Sequence, residues 1–327
     1  MAVELAQVEA FLAVARHGGF TRAAAALHLS QPATSRRIHV LERELGAPLF
    51  ERVSDGVLLT DAGRAFLPHV EAAVASVRDG VDAVGSVRGA AQGVVTLAIV
   101  GSLASTALTE RLRRFREAHP AVDLRLRTAL SAEVSDLVRR GEATLGLRYR
   151  LDPASGLVSR LLDDEPLLPV CAADHPLGGA RRVEPAELAG ERWLAFPSRQ
   201  GTVREPYAAT LEQWLAAGGL GGAEIVPVDS LTAQKRMVEA GFGLALLPSS
   251  SVDEELRSGA LRVLPVDAPQ PTIPIVLVHR RTAFLGGATT ALIAQLAGRA
   301  SPSPRAELRT GAGASPPGGG PAARTSG

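Results

Sequence analysis

The sequence predicts an α/β protein built as a helix-turn-helix, a long helix and a two-lobed domain with the architecture of a periplasmic binding protein. Three patterns carry this expectation. Residues 1–60 form short helical stretches separated by small polar turns, residues 61–89 form one long periodic segment, and residues 93–300 alternate strand-like apolar runs with amphipathic helices. In residues 301–327, 15 of 27 positions are Gly, Pro or Ser. Burial there cannot offset the entropy of ordering, so a disordered tail is expected.

Composition narrows the function classes. The formal net charge of +1, from 35 Lys+Arg against 34 Asp+Glu, excludes a chain that is basic throughout but not one with local basic patches. Lys235 is the only lysine, which reads as codon bias of a G+C-rich genome. A single cysteine, Cys171, excludes an intrachain disulfide framework and a cysteine-based zinc site, and its apolar surroundings, Leu167 to Val170, predict a small buried side chain. No apolar run reaches the roughly 20 residues of a membrane span. Glu4 and Glu9 stand where a signal peptide would carry cations, so a soluble cytoplasmic protein is expected. No cofactor or metal is implied.

The first helix contains Phe11, Leu12, Val14 and Ala15 and stops at Gly18-Gly19. An Ala-rich second helix, Thr21 to His28, lets a neighbour approach closely. Leu29-Ser30 turn the chain. Ser30 is a good N-cap, and Pro32 is tolerated in the first turn of the third helix, roughly Gln31 to Glu44, before Gly46 ends it. On a helical wheel Thr34, Ile38, Leu41 and Leu45 share one face. Pro32, Ser35, Arg36 and His39 occupy the opposite one, which carries no acid. Two short helices with a tight turn and a polar outward face on the second match a DNA-binding helix-turn-helix. The alternative is a surface helix that touches only water.

The order of residues goes further. Phe11 to Ala15, Gly19 to Ala24, Leu27 to Ile38, Leu41 to Arg52 and Leu59-Thr60-Asp61-Ala62-Gly63 together closely resemble the LysR-type transcriptional regulators. Asp174-His175-Pro176-Leu177 and Val228 to Pro248 continue the match, which covers about residues 5–298. The resemblance implies a winged helix-turn-helix over 1–60, a linker helix that dimerises, and an effector-binding domain. It also implies promoter DNA, a second copy of the chain in dimers and tetramers, and a small-molecule effector as partners, with RNA polymerase a further candidate. Carried onto matching positions, Gln31, Pro32, Ser35 and Arg36 face the groove, Thr21 and Arg22 meet phosphate, and Arg52 makes the wing contact. Arg43 is read as pairing with a neighbouring acid.

The wing departs from the family pattern. Val53 to Leu58 carries no cation, and residues 1–60 hold six Arg and six Asp+Glu. Each phosphate neutralised contributes about −0.9 to the slope of log K against log salt, so a shallow salt dependence and weak non-specific binding are expected. A binding titration over salt tests this; a slope as steep as that of a strongly basic repressor contradicts it.

Leu67, Val70, Val74, Val77, Val81 and Val84 recur at alternating spacings of three and four, a heptad seam on the segment 61–89. A DNA-binding unit too small to cover the seam favours pairing with a second chain over packing on its own domain, which predicts an operator with dyad symmetry.

Residues 90–300 divide into lobe I, 90–163 and 268–300, and lobe II, 164–267. Lobe I begins with strands at 93–100, 122–128 and 145–149, and ligands of such sheets sit beyond the C-terminal strand ends. Those positions nominate Ser102 with Leu103, Ser131, Arg148, Ser198, Arg199, Gly201 and Ser230 as effector-binding. Hydroxyls, helix N-termini and two arginines point to a small carboxylate, the alternative being helix caps that bind only water. Where the family usually has aspartate before the third strand, this chain has Thr144. No catalytic residue is nominated: the seven His and the acids form no HExxH, GxSxG or Walker pattern, so an enzyme is not the preferred class, and the outward Ser35/Arg36 face argues against a receptor signalling by protein contact.

Overall fold

The computed structural model describes residues 3–54, 56–87, 93–152, 156–197, 199–200, 203–204 and 206–298, so the expected disordered tail lies outside the described residues. Three helices, α1 (Leu5–His17), α2 (Phe20–Ala26) and α3 (Gln31–Leu45), are followed by a hairpin of β1 (Phe50–Val53) and β2 (Gly56–Leu59). The long helix α4 (Asp61–Val87) comes next. Gly18 and Gly46 end α1 and α3 in the left-handed region, where glycine has no steric cost. Ser30 caps α3 by accepting the Ala33 N–H at 3.3 Å.

Phe11 is fully buried at the centre of this unit, its ring 5.3 Å from those of Phe50 and Phe66. Phe20, Val14, Ile38, Leu41 and Leu49 complete the core, so all three helices and the hairpin share it. The turn between α2 and α3 passes through His28 with φ of 54°, a conformation that strains any residue with a β-carbon. Relieving that strain outweighs glycine's extra unfolded-state freedom, so His28→Gly is expected to raise stability by about 0.5–1 kcal/mol. Thermal melting checks this, and an unchanged or lower midpoint contradicts it.

In the second half of the chain, β3 (Gly93–Val100), α5 (Thr106–Ala118), β4 (Val122–Ala129), α6 (Ser131–Arg139) and β5 (Leu145–Tyr149) alternate as expected. The strand β6 (Leu157–Ala172) then runs for 16 residues. After it come β7 (Trp193–Ala195), β8 (Arg199–Gln200), β9 (Val203–Arg204), α7 (Pro206–Ala217), β10 (Ile225–Pro227) and α8 (Leu231–Glu239). The described residues end with β11 (Ala245–Pro248), α9 (Asp253–Ser258), β12 (Leu261–Val263), β13 (Thr272–Arg280) and α10 (Gly287–Ala297).

The main sheet has the order β11-β6-β13-β5-β3-β4, with β12 also on β6. β3 lies parallel to β4 and β5, whereas β13 lies antiparallel to β5 and β6. The two lobes share β6. Leu157 to Pro166 pair with β13 in lobe I, and Leu167 to Ala172 pair with β11 and β12 in lobe II. The chain therefore crosses between lobes near 166/167 and again just before Thr272, a few residues beyond the boundaries expected from sequence. In lobe II, β7 pairs in parallel with β10 and touches Leu244 through Trp193. Thr144 serves the framework of lobe I. Its Oγ1 accepts the Thr96 N–H at 3.2 Å and its own N–H donates to the Thr96 carbonyl, fixing the start of β5 against β3.

Candidate nucleic-acid interface and effector cleft

Local geometry ties the wing to the helices. The Val57 N–H donates to the Gly18 carbonyl at 3.3 Å, and a β-carbon on Gly56 would stand 2.4 Å from that oxygen, at a φ of +139°. Thr60 donates its hydroxyl to the Pro48 carbonyl at 2.7 Å and accepts the Gly63 N–H at 3.0 Å. A β-carbon on Gly63 would lie 2.2 Å from the Leu49 carbonyl. The motif Leu59 to Gly63 thus joins the wing to α4 by close backbone approach. Glu42 on α3 accepts the N–H groups of Leu49 and Phe50 at 2.7 and 3.3 Å, fixing α3 against β1.

This frame brings Thr21, Arg22, Gln31 and Arg52 to one concavity of about 490 Å³, floored by Gly18, Gly19 and Phe20 and walled by the wing. Pro32 and Arg36 are exposed further along α3, and Ser35 is half-buried between them. Arg22 has a second role: its Nε donates to the His17 carbonyl at 2.6 Å and its Nη2 to Gly18 at 3.1 Å, so it caps the end of α1. Arg43 is exposed, and the adjacent Glu42 serves the backbone instead of an ion pair with it.

The second site lies between the lobes. A cavity of about 650 Å³ is lined from lobe I by Val100 to Ser102, Ser105, Thr128 and Glu133, and from lobe II by Phe196, Asp229 to Thr232, Lys235, Ser250 and Asp253 to Glu255. The N-terminal turns of α5 and α8 open onto it, capped by Ser105 and Ser230, which accept the N–H groups of Leu108 and Ala233. Ser102 is largely buried, its Oγ 3.1 Å from the Tyr149 hydroxyl. Lys235 donates to the Ser251 carbonyl at 3.1 Å and pairs with Glu255 at 2.6 Å. At the crossing of the lobes, buried Glu165 accepts the Ser249 hydroxyl at 3.0 Å and the Ser250 N–H at 2.9 Å, so the cleft wall is braced on β6.

Two family models match the chain: "Bacterial regulatory helix-turn-helix protein, lysR family" over residues 5–64 and "LysR substrate binding domain" over 88–301. The chain belongs to the LysR family. It is 30% identical over 281 residues to the RuBisCO operon transcriptional regulator of Allochromatium vinosum, covering 86% of this chain and 91% of that protein. The transcriptional regulator CfxR of Cupriavidus necator is 31% identical over 266 residues, covering 81% and 82%. A full-length OxyR variant from Pseudomonas aeruginosa shares the fold, with a TM-score of 0.65, 22% identity and coverage of 91% of this chain and 94% of that one.

This LysR-type protein is a DNA-binding transcriptional regulator with an effector-binding domain, and the geometry corrects several residue expectations. Arg148 is not a cleft residue. It is buried, with its Nη1 donating to Ser135 at 2.6 Å and Asp152 at 2.7 Å, because an uncompensated guanidinium could not remain in the interior. Ser131 is fully buried at the start of α6, and Leu103 lines a separate small cavity beside α5. Ser198 and Gly201 lie outside the described residues, and only the backbone of Arg199 is described. Ser102 and Ser230 do line the cleft.

The regulator's seam also divides. Val70 and Val74 are 3% and 4% exposed because α1 lies along the first half of α4, and Leu67 packs on the same core. Val77, Val81 and Val84 remain 49%, 67% and 60% exposed. The DNA-binding unit therefore covers the first half of the stripe itself, contrary to expectation. Cys171 is buried, and that burial pushes its thiol up to about 11, which suits a packing residue. Among the described residues no helix is long and apolar enough to cross a membrane. Thr128 and Lys235 are not legible as cleft residues in the sequence, because their placement depends on which elements become neighbours.

Proposed function

We propose that the regulator binds its operator as a dimer paired through the second half of α4, and that a small carboxylate seated in the inter-lobe cleft alters how the dimers sit on DNA. The DNA-contacting set is Gln31, Pro32, Ser35 and Arg36 on α3, Thr21 and Arg22 on α2, and Arg52 on the wing. The observation that carries this is the concavity shared by Thr21, Arg22, Gln31 and Arg52, which sets the start of the recognition helix beside the wing. A footprint on the DNA upstream of the regulator's own gene, with and without candidate carboxylates, tests the whole reading. An unchanged footprint and DNA bend with a saturating, demonstrably bound carboxylate overturns the coupling.

The three exposed valines, which face water in the single chain, support this pairing. Val81→Glu combined with Val84→Glu is expected to shift the sedimenting species from dimer to monomer and to weaken operator binding. A dimer of undiminished stability would place the interface elsewhere. Tetramers and contact with RNA polymerase belong to the same proposal.

Two features of the cleft support an effector with a single negative charge. The N-terminal turns of α5 and α8 favour an anionic group. Glu133, Asp229, Asp253 and Glu254 on the lining oppose a second one. A monocarboxylate with additional polar groups fits both. Calorimetry comparing mono- and dicarboxylates of similar size tests this, and tighter binding of the dianion contradicts it.

A further inference from the structure

Helix α6 spans the distance between the cleft and the DNA-binding unit. At its first turn, Glu133 lines the cleft and its Oε2 accepts the Leu130 N–H at 3.0 Å, so this turn is held by a cleft residue. The body of the helix is bound to the end of β5: Arg148 joins Ser135 to Asp152, and Arg139 pairs with the same Asp152 at 2.9 Å and with Asp136. These bonds fasten the helix to lobe I.

Its other end rests on the helix-turn-helix and on α4. Gly141, with φ of +66°, follows the helix, and a β-carbon there would stand 2.7 Å from the β-carbon of fully buried Ala75 on α4. Arg78 of α4 donates to the Gly141 carbonyl at 3.4 Å. Glu142 receives Arg16, from the last turn of α1, at 3.0 Å, together with Arg140 at 3.0 Å and Arg127 at 3.1 Å. Burial alone would raise the Glu142 carboxyl, but the Arg16, Arg127 and Arg140 guanidiniums hold it below its ordinary value. Alongside, Arg280 at the end of β13 grips Asp79 of α4 with two parallel hydrogen bonds of 2.7 and 2.9 Å, its side chain 10% exposed and that of Asp79 14%. A bidentate pair screened from water fixes orientation as well as distance.

We propose that this junction is a latch within one chain: Arg280–Asp79, Arg16–Glu142 and the Gly141–Ala75 contact dock the DNA-binding unit on lobe I, and α6 carries displacement at the cleft to that dock. Asp79, Arg280, Glu142 and Arg16 are positioning residues, acting on the recognition helix through α1 and α4. The docking half stands on the contacts alone. The relay half rests on the reading of the cleft as the effector site.

Hydrogen exchange on the full chain, without DNA or effector, tests both halves. Asp79→Arg and Arg280→Asp are each expected to raise exchange severalfold in two separate segments, 70–80 and 137–143, and the double reversal is expected to restore protection in both. Exchange that rises only in the segment carrying the substitution, or that the reversed pair fails to restore while Asp79→Asn leaves both segments protected, overturns the dock. Glu133→Ala, at the cleft end, is expected to raise exchange at 137–143 and at 70–80 as well as locally. A change confined to residues 130–134 overturns the relay. Because neither readout involves DNA, its failure is separate from failure of operator binding.

Discussion

Replacing Arg36 with alanine is expected to weaken operator binding by roughly 5- to 150-fold, the equivalent of about 1–3 kcal/mol for loss of a bidentate contact to a base edge. Arg36 is exposed on the face of α3 opposite Ile38 and Leu41, which are buried in the core, so truncation removes a contact without opening a cavity. The loss should be selective: binding to unrelated duplex should change much less, because only one cation is removed. Arg22→Ala should behave differently. It should weaken all sequences alike and lower the salt slope by about one contact, with a cost in stability besides, because Arg22 also caps α1. A gel-shift series on operator and scrambled duplex separates the two patterns. Equal losses on both duplexes for Arg36→Ala would remove it from base recognition.

Phe11→Ala is expected to have the largest effect on folding, a loss of about 3–5 kcal/mol, the usual cost of emptying a large aromatic site. The ring touches Phe50 of the wing and Phe66 of α4, so its removal loosens the hairpin, the linker helix and the three-helix unit together. The effector domain has its own core, centred on Leu97, Leu145, Tyr149, Trp193 and Val276, and should remain folded. Denaturant unfolding followed by far-ultraviolet circular dichroism should therefore show an early transition for the N-terminal unit and an unshifted later one. DNA binding should be lost while effector binding survives. A single transition shifted by less than about 1 kcal/mol would mean that the aromatic cluster repacks around the gap.

The N-terminal unit is legible in the sequence because local chemistry decides it. Ser30, Pro32, Gly18 and Gly46 mark helix ends by rules that act over one turn, and the polar face of α3 follows from a wheel. Elements whose environment is set by distant neighbours are less readable. The first half of β6 carries Arg160, Asp163, Asp164 and Glu165, a composition unlike a strand. Among the described residues it pairs with β13 on one edge only, so Arg160, Asp163 and Asp164 stay exposed, while Glu165 is buried against Ser249 and Ser250. Helix α7 turns Ala208, Ala209, Thr210 and Leu211 inward, so the contrast between its faces is weak. The linker stripe shows the same limitation: spacing identifies an apolar face but not what covers it, and α1 takes half of it. Arg148 is the clearest case among the residues nominated for effector binding. Its position at a strand end is visible in the sequence, whereas Ser135, which with the nearby Asp152 draws it inward, becomes its neighbour only when α6 packs on β5.

The place of β13 in the sheet sets the order in which the molecule can be completed during synthesis. β13 lies between β6 and β5, so the lobe I sheet lacks an internal strand until residues 272–280 have left the ribosome. The DNA-binding core needs nothing beyond Val74. A nascent chain therefore carries a finished helix-turn-helix for most of its elongation, together with an open sheet whose unpaired edges on β5 and β6 wait for one late segment.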